Sequence, residues 1–227
     1  MAENSKIELT DHTVNLWWGC AKVHTGCKNC YAEHLSDTRY KNNLWGEKQP
    51  RKLIKSAFKD LNKYQRQAAK QGVKVRIFMG SMMDIFEDSK PLVDHYGNPV
   101  HIEPDQPQLQ TENLRNKLFE NISYNRYPNL VFLFLTKRPE NINKMIPKSW
   151  VKNSPSNVWF GTSISDMDTV WNSEILYENT PINANRFLSV EPQVSYIQYI
   201  PLIPQIHWII QGGESGPKKR PDRKSVV

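Results

Sequence analysis

Cysteine is scarce in this chain: there are three in 227 residues, all within eleven positions, as Cys20, Cys27 and Cys30. An odd, clustered set excludes the scattered, even-numbered disulfide framework of small secreted proteins and points to thiolates converging on a metal. Long apolar runs are lacking as well. No stretch approaches the ~18 consecutive apolar residues of a membrane span, and the polar start Met1-Ala2-Glu3-Asn4-Ser5-Lys6 has no signal-peptide core. A cytoplasmic protein with reduced thiols and no membrane partner is expected. A phosphate-binding P-loop, a His-Glu-x-x-His zinc motif and a Gly-x-Ser-x-Gly nucleophile elbow are all missing, which removes the hydrolases built on them. No internal repeat or low-complexity tract stands out.

What is present begins with charge. Lys and Arg number 30 against 23 Asp and Glu, a net +7 that suits a phosphate-bearing or otherwise acidic partner, nucleic acid included. Part of the excess lies in residues 217–227, which read as a basic polar tail. The length fits a single α/β domain over 1–227. Six short apolar runs recur, at 14–18, 75–79, 130–135, 157–160, 185–190 and 206–210. Their β-branched and aromatic residues, apolar on both faces, suit parallel strands covered by helices. Between them, 52–71 and 112–124 carry apolar residues near helical spacing. The proline-rich stretch 88–110 reads as a long loop insertion of the lid or partner-binding kind.

Each run is followed by a chemically distinctive cluster: Gly19-Cys20, then Gly80 to Asp84, Thr136-Lys137-Arg138, Gly161-Thr162-Ser163, Glu191-Pro192 and Gly212-Gly213-Glu214. Loops at the carboxyl ends of parallel strands build the ligand site, so one shared pocket is expected. In it Asp84 and Glu191 can serve as bases or bind hydroxyls, Lys137 and Arg138 can hold a carboxylate or phosphate, and Glu214 can pair an amino group. As loop residues, the same carboxylates also fit caps or ion pairs. Trp159 and Trp208 read as core, whereas Trp17, Trp18 and Trp45 near the cysteines can pack or stack a base.

Three readings of the thiols stay open. Three cysteines can hold three irons of a 4Fe–4S cluster and leave the fourth iron open. Alternatively, Cys20, Cys27 and Cys30 with His34, four residues past Cys30, or with His24 make a closed zinc site. In the third, the thiols bind nothing.

The blocks Trp17-Trp18-Gly19-Cys20-x6-Cys27-x2-Cys30-Tyr31-Ala32-Glu33, Thr136 to Asn141, Gly161-Thr162-Ser163, Leu188 to Pro192 and Gly212 to Pro217 resemble, in this order, a phage and prophage family with a three-cysteine motif, described as radical-SAM-like. The commonest radical-SAM spacing is C-x3-C-x2-C, so six residues between Cys20 and Cys27 are a variant. The resemblance implies a partial (β/α)6 TIM-type barrel, a 4Fe–4S site on the three cysteines and S-adenosylmethionine held by Gly212, Gly213, Glu214 and Ser163. It also implies Asp84, Lys137, Arg138 and Glu191 on the substrate side and residence in a host bacterial cell. Similar proteins continue past Pro217 into another helix and strand, so a C-terminally shortened barrel with reduced or lost catalysis is expected. The phage setting adds one alternative, a non-enzymatic anti-CRISPR protein that binds an RNA-guided nuclease or its guide RNA; a further reading is a zinc-stapled nucleic-acid-binding module.

Overall fold

The computed structural model describes residues 2–3, 10–41, 43–201, 206–216 and 219–220. In chain order the elements are β1 (Ala2–Glu3), β2 (His12–Val14), β3 (Trp17–Trp18), α1 (Tyr31–Arg39), β4 (Arg51–Leu53), α2 (Ala57–Gln71), β5 (Val75–Met79), β6 (Leu92–Val93), α3 (Thr111–Ser123), β7 (Leu130–Thr136), α4 (Ile142–Met145), α5 (Lys148–Lys152), β8 (Val158–Ser163), α6 (Asn172–Glu178), β9 (Asn185–Val190) and β10 (Ile206–Gln211).

Seven strands form one sheet in the order β1-β2-β5-β7-β8-β9-β10. β1 pairs antiparallel with β2, and the remaining six are parallel. The parallel strands follow chain order with no reversal, so all six carboxyl ends sit along one rim. No pairing joins β10 to the opposite edge among the described strands.

Alternation along the strands sorts the apolar residues onto two faces. On β7, Leu130, Phe132 and Phe134 join the main core, against Leu61 and Tyr64 of α2, Leu118 and Phe119 of α3, and Leu176 of α6. Leu133 faces the other way, with Phe78 and Phe187, and Val131, Leu135, Trp159, Trp208 and Ile210 pack around them. The helices commit matching stripes: Ala57, Leu61, Tyr64 and Ala68 on α2, and Leu114, Leu118 and Ile122 on α3. Each fully buried Leu or Phe contributes about 1.5–3 kcal/mol relative to exposure.

The second face is concave. Arg76 on β5 lies over the ring of Trp208 on β10, 5.9 Å from its centroid. Those strands are four steps apart, about 19 Å in a flat sheet. Contact across that distance requires the sheet to curl, and the aromatic side chains fill the trough.

The first apolar run divides where a single strand was expected. β2 ends at Val14, and Asn15 then donates to Ser81 Oγ at 2.9 Å and accepts from the Met82 amide at 2.8 Å. Trp17–Trp18 belong to a second, three-stranded sheet, β3-β4-β6, which also takes Lys52 and Leu53 out of the expected helix. Within the 88–110 insertion, Leu92–Val93 is a buried strand and the rest is turns and isolated bridges. Most of the 217–227 tail lies outside the described residues, as does 202–205 of the connector before β10.

Candidate functional site

The small sheet sits just beyond the carboxyl rim and fixes the cysteine loop from behind. Gly19 precedes Cys20 with φ +117°, and a Cβ there would meet Leu44 O at 2.6 Å and Arg51 Cδ at 2.7 Å. Only glycine fits that conformation and that space. Its amide donates to Met82 O at 3.0 Å, while Cys20 O accepts from the Gly46 amide at 2.9 Å. Arg51, fully buried, donates to both carboxylate oxygens of Glu87 at 2.8 and 2.6 Å and to the carbonyls of Leu44, Gly46 and Gln49. One guanidinium thus ties segment 44–49 to the loop after β5.

A second buried cation reaches the sulfur itself. Arg138, following β7, donates to Asp84 Oδ2 at 2.9 Å and to Ala21 O at 2.8 Å, and stands 3.9 Å from Cys20 Sγ. Asp84 also accepts from the Thr136 hydroxyl, the Lys137 amide and the Phe86 amide. Its lone pairs are therefore used, and it acts here as the anchor of the strand-end loops.

Cys20, Cys27 and Cys30 all line one cavity of about 100 Å³, together with Trp45, Asp84 and Lys137. That volume holds several waters or a compact inorganic group. Burial, with the carboxylates of Asp84 and Glu87 adding to it, pushes the Cys20 thiol up to about 12 against the pull of Arg138. Burial also raises Cys30, partly offset by the amides of Glu33 and Ala32 at the start of α1. Thiols in this setting need a cation to become thiolates, and a metal centre supplies one. Among the described residues no three His, Cys, Asp or Glu side chains form a group able to hold a metal ion.

The two histidines offered for zinc differ in what they present to a metal. His24 Nδ1 accepts from the Gly26 amide at 3.0 Å, and burial, followed by the Lys137 ammonium, lowers the ring to about 4. It is therefore neutral with the proton on Nε2, and that nitrogen, like Ser165 Oγ, is buried without a partner among the described residues. His34 Nδ1 lies 3.3 Å from the Thr38 hydroxyl on its own helix.

The other strand ends complete the rim. Lys137 Nζ donates to Ser163 Oγ at 3.0 Å across the end of β8. Glu191 follows β9, and Gly212 follows β10 so close that a Cβ would lie 3.1 Å from Glu191 Cδ. Glu214 is already engaged: Asn29 Nδ2 donates to it at 3.2 Å and Arg220 through its amide, Nε and Nη2. An amino group must compete with Arg220 for this carboxylate. The sequence motifs did not single out Arg51 or Glu87; they are 36 residues apart, and only the fold joins them.

The family model described as "Protein of unknown function (DUF5131)" matches residues 4–98 and 106–227, and the chain belongs to that family. The internal gap in the match, 99–105, falls inside the insertion. No curated protein and no solved structure matches the chain.

Proposed function

We propose that this DUF5131-family chain is an iron–sulfur protein of the radical S-adenosylmethionine type, with Cys20, Cys27 and Cys30 as ligands of a 4Fe–4S cluster. The observation that carries the reading is that all three thiols, and no other cysteine, border one cavity at the carboxyl rim of six parallel strands in chain order. The curl of the sheet further supports a partial barrel. Thiols around a volume, rather than at a point, suit a centre in which each sulfur binds a different iron.

When bound, such a cluster supplies one-electron reduction at its open iron. The chain's own residues do the rest. Arg138 holds a positive charge near Cys20 Sγ and fixes the loop through Ala21 O; a donor to a ligating sulfur also moves the potential of a cluster. Arg51 and Glu87 lock the wall behind it. Gly212 and Gly213 leave room at the mouth beside Glu191, and Ser163 and Lys137 present polar groups from the neighbouring strand ends. The substrate lies on the Lys137 and Glu191 side, because Asp84 and Arg138 are committed to each other.

The test is iron and acid-labile sulfide analysis of protein purified without oxygen, with electron paramagnetic resonance of the reduced sample. About four irons with matching sulfide are expected, and Cys27→Ala should lose the brown chromophore while staying folded. Zinc in place of iron, or a folded chain with no metal, overturns the reading.

A further inference from the structure

Lys137 and Glu191 stand on neighbouring parts of the rim, each without an ion-pair partner among the described residues. The Lys137 side chain starts after β7 and ends over β8, on Ser163 Oγ. Ser163 pairs in register with Ser189 of the adjacent strand β9, and Glu191 lies two residues further on. The ammonium therefore rests at the end of β8, and the carboxylate follows the end of the adjacent strand β9. Both side chains are half-buried, and Glu191 accepts no hydrogen bond from any described residue. Burial raises the Glu191 carboxyl, and the Lys137 ammonium opposes the rise, so the two charges feel each other without touching.

Ser163 accepts from Lys137, which leaves its own hydroxyl proton to donate. On one side the rim thus offers an ammonium and a hydroxyl donor for an oxyanion; on the other, a carboxylate for a cation. A simple anion would be drawn to Lys137 but repelled by Glu191, and a simple cation the reverse. A group carrying both charges satisfies both.

We infer that Lys137, Ser163 and Glu191 form a subsite for a zwitterionic group, the ammonium and carboxylate of an α-amino acid, and that this group belongs to the substrate. The inference names the substrate class of the site proposed above and rests on reading the mouth as a ligand site.

Ligand-observed nuclear magnetic resonance on the full chain, purified without oxygen, tests it with the twenty free α-amino acids and then with the N-acetyl and amide derivatives of the best binder. S-adenosylhomocysteine serves as a separate arm, because it carries the same zwitterion on a cofactor skeleton. At least one free amino acid should bind, and each blocked derivative should bind at least about tenfold more weakly, since each loses a charged hydrogen bond. Lys137→Gln and Glu191→Gln should each weaken the amino acid by a similar factor with an unchanged unfolding midpoint, leaving S-adenosylhomocysteine unaffected. No amino-acid binding, equal binding of blocked and free forms, or parallel loss of S-adenosylhomocysteine in both variants overturns the assignment. Iron and sulfide measured on the same preparation report on the cluster separately, so the two readings can fail independently.

Discussion

Asp84 and Arg138 are buried to within a few per cent, and their side chains meet at 2.9 Å behind Cys20. Taking away one member of such a pair leaves a charge with neither water nor counter-ion, at a cost of about 3–5 kcal/mol. Arg138→Met keeps the bulk and removes the charge, so it should lower the unfolding free energy by that amount, read as a lower denaturant midpoint at unchanged slope. An unfolding free energy within about 1 kcal/mol of the parent, an order-of-magnitude threshold for an exposed pair, would show that Asp84 reaches solvent. At this scale the sequence is partly legible. The cysteines announce themselves by spacing, and strand-end positions pick out Asp84, Lys137, Arg138 and Glu191. Which of these face a ligand and which face each other depends on burial and hydrogen-bond saturation, and neither is written in a local motif.

Between residue and molecule, the strands pack through one unusual contact. Gly161 in β8 has no side chain, and the Phe187 ring of β9 lies over it where a Cβ would stand. Phe187 is fully buried in the trough and also meets Trp208, with ring centroids 6.3 Å apart. Gly161→Ala should therefore overpack the face and destabilise by about 1–3 kcal/mol, read as a drop in melting temperature. Adding Phe187→Leu should recover part of that loss, and strictly additive effects would deny the contact. Elements were the most legible level: β5, β7, β9 and β10, with α3, lie where periodicity puts them, while β8 runs on through Gly161-Thr162-Ser163 and α2 begins only at Ala57. The exception, the run 14–18, looks continuous because Leu16, Trp17 and Trp18 are apolar. Asn15 breaks it by bonding to the loop after β5, a partner more than sixty residues away.

For the molecule as a whole, periodicity gives the six parallel strands of the main sheet but not its curvature, because curling follows from contacts between strands that are not neighbours, such as Arg76 with Trp208. Curvature without closure makes the strands unequal. β7 is paired on both sides and its residues Leu130, Phe132 and Phe134 are fully buried. β10 pairs only with β9 among the described strands, and its residues alternate between half-buried and exposed, with Ile209 56% exposed. Local opening should therefore cost less at β10 than at the centre. Native-state hydrogen exchange should find the β7 and β8 amides slowest, near the global limit, and those of β10 at least about tenfold faster, a difference of ~1.4 kcal/mol in opening free energy. Running the exchange at two protein concentrations separates an intrinsic property from an assembled one. If β10 is as protected as β7 only at the higher concentration, a second copy covers the edge; equal protection at both means that the trough is sealed within the chain and the sheet does not end where the described strands do.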